Sequence, residues 1–412
     1  MTWFRHDRFG MFIHWGLYSM PARHEWVRNH EAIQDEQYQI FFDLFNPDMF
    51  NPREWAKAAR EAGMKYFVIT TKHHEGFCLW DTKYTDYKAP NTPAGRDLLR
   101  EVVDAFRAEG LKVGFYYSLI DWHHPEFPID RLHPMTKHNT MPEEERAEIN
   151  KKRDVRKYAK YMRDQITELL TNYGKIDVLW FDFSYPGPQG KGHEDWESEK
   201  LIRLVRKLQP DIIVDNRLDL PGSGDIITPE QYVPANGIRD EQGNLVDWEG
   251  CQTFSGSWGY HREESSWKTP AQCVQMLINH VSRGGNLLMN VGPTSRGYLD
   301  SRAMDRLGAY AEWMKYHSRS IYGCTVAPDG FEEPENCRYT WNPETKCLYL
   351  HLMAYPFRSV RLKKLADKIR YAQLLNDGSE ITGTPTEDGD MELYLPTPGP
   401  NVLVPVVEIF LK

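Results

Sequence analysis

Short apolar runs alternate with amphipathic stretches along the first three quarters of the chain. Phe9-Gly-Met-Phe-Ile-His-Trp-Gly16 reads as a strand broken by Gly16. Asn51-Pro52 starts a helix with Trp55, Ala58, Ala59 and Ala62 at helical spacing, and Gly63 ends it. The strand Tyr66–Thr71 leads into His73-His74-Glu75-Gly76. A helix over Asp97–Glu109, with Leu98, Leu99, Val102, Val103 and Phe106 on one side, feeds the strand Leu111–Ser118. A long charged helix is predicted over Glu143–Leu170. Gly174 then delivers the chain to Ile176-Asp-Val-Leu-Trp-Phe-Asp182, too short for an independent helix and too apolar for a half-exposed strand. Helix Glu197–Leu208 and strand Asp211–Asn216 repeat the pattern.

Between Leu218 and Trp267 the periodicity fades into rim loops and irregular strands. It returns with helix Pro270–Arg283, strand Asn286–Val291 and helix Ser301–His317. Repeated helix, breaker, apolar strand and polar rim call for parallel strands with helices outside them. No glycine-rich phosphate loop follows the first strand, so the prediction is an α/β fold of the (β/α)₈-like TIM-barrel type rather than an open doubly wound sheet. After Cys324 the pattern turns to alternation of period two around Asn342-Pro343-Glu344 and Asn376-Asp377-Gly378. The division expected is a barrel over residues 1–323 and a C-terminal β-sandwich over 324–412.

The 412 residues accommodate both units, and 41% hydrophobic content supports a large core. A formal charge of −9 argues against nucleic acid or an acidic membrane as partner. The N-terminus lacks the apolar core of a signal peptide and no run has the length of a membrane span. A soluble cytoplasmic protein is expected, with a secreted form whose leader is removed as the alternative; the sequence is compatible with a homo-oligomer. The six cysteines form no C-x-x-C pair, so free thiols are expected.

The polar residues at predicted strand ends share a theme. His14 follows the first strand, Glu25 and Trp26 lie in its loop, and His73 and His74 follow the second. Tyr116 and Tyr117, Asp182, Asn216 and Arg217 come next, with Glu230, Glu249 and Trp258 in the irregular stretch. Aromatic rings stack on the C–H face of a pyranose while His, Glu and Arg bond its hydroxyls. Each has a plainer reading: His14 as a satisfied core histidine, Asp182 as a helix cap, Arg217 as a partner for any carboxylate. His73 and His74 share a site only if their strand has already ended. A metal hydrolase using His14, His73, His74, Glu75 and Asp182 is disfavoured, because H-E-x-x-H spacing is absent; no metal and no cofactor is expected.

Taken together, Phe12-Ile-His-Trp-Gly16, Glu25-Trp26, His73-His74-Glu75-Gly76-Phe77, Tyr116-Tyr117-Ser118, Trp180-Phe181-Asp182, Ser257-Trp258-Gly259-Tyr260 and Gly284–Gly292 resemble the α-L-fucosidases of glycoside hydrolase family 29. The resemblance runs in order to about residue 323 and more weakly beyond. It implies a barrel, often irregular, with a β-sandwich, and cofactor-free retaining hydrolysis of terminal α-L-fucose from an oligosaccharide or glycoconjugate. Asp182 matches the nucleophile. His14, Glu25, Trp26, His73, His74, one tyrosine of the pair and Arg217 match sugar-binding positions, and Trp258 matches an aromatic beside the fucose methyl. Tyr117 is the expected inward tyrosine. Glu230, in a Thr-Pro-Glu loop like that supplying the acid in some relatives, is the expected acid/base, with Glu249 as the alternative. The competing readings are a fucose-binding protein without catalysis and a retaining glycosidase for a related sugar such as α-L-galactose.

Overall fold

The computed structural model describes residues 1–412. Seven parallel strands form its central sheet: β1 (Phe9–Ile13), β2 (Tyr66–Lys72), β3 (Lys112–Ser118), β4 (Val178–Asp182), β5 (Ile213–Val214), β6 (Glu249–Thr253) and β7 (Asn286–Val291). Their order is β5-β4-β3-β2-β1-β7-β6, which leaves β5 and β6 at the two ends of the sheet. An irregular segment fills the gap between them. On one side Asp225 N donates to Val214 O at 2.7 Å; on the other, Glu249 N donates to Ile227 O at 2.9 Å and Cys251 N to Pro229 O at 3.1 Å. Pro229 has no N–H to give, so this seam cannot be a regular strand. The barrel is therefore closed by the segment that carries Thr228-Pro229-Glu230.

The helices outside the sheet start where their sequence signals lie. Helix Pro52–Glu61 has proline in its first turn and buries Trp55, Ala56, Ala58 and Ala59. Asp97 caps helix Leu98–Ala108 through Arg100 N, and Thr269 with Gln272 forms a capping box on Pro270–Ser282. The larger core, between sheet and helices, takes the outward faces of the strands, such as Phe67, Phe115, Leu179, Phe181, Leu287 and Met289. A smaller cluster inside the barrel includes Phe12, Val68, Tyr116, Val178, Trp180 and Leu288.

Several predicted elements are corrected. The long charged helix is two, Glu143–Asn150 and Val155–Asn172, because Asn150 turns aside to bond Ile129 and Asp154 caps the second helix through Arg156 N. The strand expected over Asp211–Asn216 shrinks to Ile213–Val214, since Asp225 replaces a neighbouring strand as its partner. Helices Thr2–Asp7 and Asp35–Leu44 and strand β6 were not expected from periodicity.

The C-terminal strands are β8 (Cys337–Asn342), β9 (Cys347–Leu352), β10 (Ser359–Leu362), β11 (Ile369–Leu374), β12 (Gly383–Pro385), β13 (Met391–Tyr394) and β14 (Val406–Leu411). They form antiparallel sheets β11-β14-β9-β8 and β10-β13-β12 around Leu348, Leu350, Leu362, Leu393, Val407 and Ile409. All six cysteines are free and buried. No helix is long and apolar enough to cross a membrane.

Candidate active site

Parallel strands leave their last residues on one rim, and the polar side chains gather there. On β4, Val178, Trp180 and Asp182 alternate inward while Leu179 and Phe181 pack outward. Tyr116 lies opposite Trp180 in the register of β3 and β4. Its hydroxyl donates to Asp182 Oδ2 at 2.6 Å, and Arg217 Nη1 donates to Asp182 Oδ1 at 2.9 Å. Both oxygens of this largely buried carboxylate are thus held.

Arg217 also reaches the seam. Its Nη2 lies 2.9 Å from Glu230 Oε2, and its Nε donates to Thr228 Oγ1 at 3.1 Å. Thr228 N donates in turn to Asn216 Oδ1 at 3.2 Å, so the end of β5 grips the Thr-Pro-Glu segment on both sides. The guanidinium stands 4.5 Å from the centre of the Trp180 ring. Burial is the largest single influence and opposes its charge, but the acidic groups around it, Asp182 first and then Glu230 and Asp215 among them, together outweigh burial and its pKa is pushed up. One guanidinium therefore bridges two carboxylates, one fixed at a strand end and one, Glu230, 43% exposed on its segment.

β2 ends at Lys72, with a register shift just before it, so His73 and His74 both turn into the site. The histidine tautomers follow from their partners. Ser118 Oγ gives its only hydrogen to Ile120 O at 2.7 Å, so the 2.6 Å contact with His74 Nδ1 has the imidazole donating. Asn290 Nδ2 donates to Trp258 O at 2.6 Å, which turns Oδ1 toward His14 Nδ1 at 2.7 Å and makes that nitrogen the donor. Each ring presents an unprotonated Nε2; that of His74 lies 3.9 Å from Asp182 Oδ2. Burial pushes both imidazoles down to about 3, so they stay neutral and accept hydrogen bonds near neutral pH.

Glu25 is buried, and its Oε2 accepts from Trp258 N at 3.1 Å and Gly259 N at 2.9 Å, which fixes the Ser257–Tyr260 loop. Burial raises its carboxyl to about 7. The result is a cavity whose lining includes His14, Glu25, Trp26, His73, His74, Asp182, Glu230 and Trp258. Phe12, Tyr116, Trp180, Phe183 and Cys251 complete its walls. Its polar groups and aromatic faces are the two kinds of surface that a sugar ring binds.

Two expectations are corrected. Tyr117 does not face the cavity; it points into the helix layer, where its hydroxyl donates to Gln165 Oε1 at 2.7 Å, and Tyr116 is the inward residue. The cause is strand alternation: Tyr117 shares a face with Val113 and Phe115, and Tyr116 with Gly114. Glu249 opens β6 at the far end of the barrel, fully buried against Tyr66 and 3.2 Å from Trp180 Nε1, with no part in the cavity. Glu75 likewise turns away, to Leu17 N and the Tyr38 hydroxyl. Phe183 and Asn290 were missed in the sequence: Phe183 is apolar, whereas Asn290, the inward polar residue next to the end of β7, carried the same strand-end signal as the others.

The two tyrosines are separable by experiment. Tyr116→Phe removes a hydrogen bond to a buried carboxylate, typically about 1.5–3 kcal/mol, so kcat/KM is expected to fall by about 10- to 100-fold. Tyr117→Phe is expected to lower thermal stability with little change in kcat/KM. Matched steady-state kinetics and melting curves check both.

Burial also sets a pH dependence of stability. His14, His24, His73, His74, His133, His280 and His351 are all pushed down by burial, so below their ordinary value of 6.5 the unfolded chain binds protons that the folded chain refuses. Stability from these groups is lost as pH falls below 6.5. Glu25, Glu75, Glu249 and Asp215 are pushed up by burial and act oppositely, favouring the folded state at low pH and losing that contribution as pH rises. The histidines outnumber the carboxyls, so Tm is expected to be lower at about pH 5 than at about pH 6.5. An equal or higher Tm at the lower pH contradicts the neutral burial of these rings.

The chain is similar to known proteins over its whole length. The α-L-fucosidase family matches residues 1–319. Human plasma α-L-fucosidase is 32% identical over 395 residues, covering 86% of this chain and 76% of that protein. α-L-Fucosidase isoenzyme 1 from Paenibacillus thiaminolyticus superposes with a TM-score of 0.91 at 45% identity, covering 100% of this chain and 98% of that one. A trapped covalent intermediate of a family 29 α-L-fucosidase from Bacteroides thetaiotaomicron, in complex with 2-fluoro-fucosyl fluoride, superposes at 0.86 with 28% identity, covering 99% and 95%. The chain belongs to the α-L-fucosidase family of glycoside hydrolases.

Proposed function

We propose that this glycoside hydrolase removes terminal α-L-fucose from oligosaccharides or glycoconjugates with retention of anomeric configuration. Asp182 is the nucleophile and Glu230 the acid/base. The observation that carries the assignment is the Arg217 fork, which ties a rigid strand-end carboxylate to a second carboxylate in a cavity lined by histidines and aromatic rings. Retaining glycosidases need two carboxyl groups about 5–5.5 Å apart, one to attack carbon and one to protonate the leaving oxygen. The covalent intermediate named for the Bacteroides relative supports the same course here.

In the first step Asp182 attacks the anomeric carbon as the C–O bond to the leaving group breaks and Glu230 delivers its proton to the departing oxygen. In the second, Glu230 takes a proton from water, which displaces Asp182 and yields α-L-fucose. Tyr116 and Arg217 hold Asp182 in its attacking position. The unprotonated Nε2 atoms of His14 and His74 accept sugar hydroxyls, and Trp258 packs beside the C5 methyl. The presence of both carboxylates at one cavity separates this reading from a binding protein without catalysis.

Proton NMR during hydrolysis of an aryl α-L-fucoside tests the proposal. The α anomer of fucose is expected to appear first and then mutarotate; initial β-fucose means inversion, and no hydrolysis means that the enzymatic reading fails.

A further inference from the structure

Glu249 takes no step in the reaction, yet it stands inside the barrel, fully buried, at the end opposite the catalytic rim. A carboxylate in such a place is costly unless its oxygens are bonded. Here both oxygens are bonded, and both partners are neutral: Oε2 accepts from the Tyr66 hydroxyl, and Oε1 from Trp180 Nε1 at 3.2 Å.

The two donors lead in different directions. Tyr66 leads into the barrel floor, where its oxygen accepts from Asn286 Nδ2 at 3.3 Å and the same amide donates to Phe4 O at 2.9 Å. Trp180 leads to the site, because its ring lines the fucose cavity. The Arg217 guanidinium stands 4.5 Å from the centre of that ring, and the Tyr116 ring stacks on it at 5.9 Å with the planes 19° apart. Arg217 and Tyr116 are the two residues that hold Asp182, at 2.9 and 2.6 Å. An indole N–H can only donate, and Glu249 is the acceptor that Trp180 uses. A flat ring gripped at its edge cannot slide or tilt without breaking that bond, so the face it offers to Arg217 and Tyr116 stays in place.

We propose that Glu249 is a positioning residue: it holds the Trp180 indole from the far end of the barrel, and the ring so fixed sets Arg217 and Tyr116 in the geometry that keeps Asp182 ready to attack. The inference rests on the reading of Asp182 as the nucleophile. It gives Glu249 no contact with substrate and no proton to transfer.

One carboxylate with two donors, only one of which leads to the site, gives a built-in control. Glu249→Met keeps the length of the side chain and removes both acceptors. Assayed well below its Tm, it is expected to lose about tenfold in kcat with KM within about twofold, on an aryl fucoside and a fucosyl disaccharide alike, since the fault lies at the nucleophile and not at the acid. Glu249→Gln is expected to keep kcat within about threefold: its carbonyl still accepts from Trp180, and its amide donates to Tyr66, whose hydroxyl can reverse its role as an indole cannot. Tyr66→Phe removes only the other bond, so Tm is expected to fall while kcat stays within about twofold. In Trp180→Phe, which lacks the N–H, adding Glu249→Met is expected to cost no further kcat. Wild-type kcat in folded Glu249→Met, an equal loss in Tyr66→Phe, or additive losses in the double variant overturn the positioning role and leave the fucosidase reading standing. Trp180→Phe breaks the same bond from its other side, so an unchanged kcat there overturns the role even if Glu249→Met does not fold. If the wild-type enzyme hydrolyses no fucoside, the fucosidase reading fails and the positioning role falls with it.

Discussion

Asp182→Gly is expected to reduce turnover of an aryl α-L-fucoside by on the order of 10³-fold or more, because removing a covalent nucleophile forfeits most of the transition-state stabilisation. Added azide is expected to restore a large part of the rate by entering the space the carboxylate vacates. The product is then β-L-fucosyl azide, since a single displacement inverts the anomeric centre. The position suits this test. Asp182 ends a strand whose outward residues Leu179 and Phe181 are fully buried, so deletion of one rim side chain leaves the packing intact. Unimpaired activity, or loss without rescue in a folded protein, removes Asp182 from the nucleophile role.

Glu230→Ala is the second large effect, and its signature is a dependence on the leaving group. General acid catalysis contributes about 10²–10⁴-fold, so a fucosyl disaccharide with a poor leaving group is expected to slow by about that factor. Glycosylation by an activated aryl fucoside, which departs without a proton, is expected to slow far less. Glu249→Ala is expected to show no such split. Glu249 is buried against Tyr66 and Trp180, so its loss opens a cavity and strands two donors, which lowers Tm. If the leaving-group dependence instead appears in Glu249→Ala, the two assignments exchange.

The parts of the site legible in the sequence are those where a strand ends. His14, His73, His74 and Asp182 each follow an apolar run, and a parallel barrel carries such residues to one rim without further information. The choice between Tyr116 and Tyr117 was also present in the pattern. Val113, Phe115 and Tyr117 continue the large outward side chains of a strand whose inward face holds Gly114, and reading that parity points to Tyr116. Glu249 looked eligible because it adjoins Trp248 in a stretch without periodicity. Only the pairing of β6 with β7 shows that it opens a strand, at the end opposite the rim.

The closure of the barrel was not legible. Asp225–Glu230 has no alternation, contains a proline, and acquires its place from bonds to β5 and β6 that are themselves distant in sequence. For the same reason the role of Arg217 as a bridge was out of reach: its two carboxylates come from the end of β4 and from that seam. The positive φ of Phe183, which sets its ring in the cavity wall, was equally hidden, since an aromatic residue does not announce a left-handed backbone as glycine does.

The most direct measurement is peptide mapping of the protein after inactivation with 2-deoxy-2-fluoro-α-L-fucosyl fluoride. The fluorine at C2 destabilises the oxocarbenium-like transition states of both steps, while the fluoride leaving group keeps formation of the intermediate faster than its hydrolysis, so the sugar stays attached to the attacking residue. The account predicts one fucosyl adduct, located by fragmentation on Asp182 and absent from Asp182→Gly. An adduct on Glu230 or any other carboxylate, or an active enzyme that accumulates none, contradicts it.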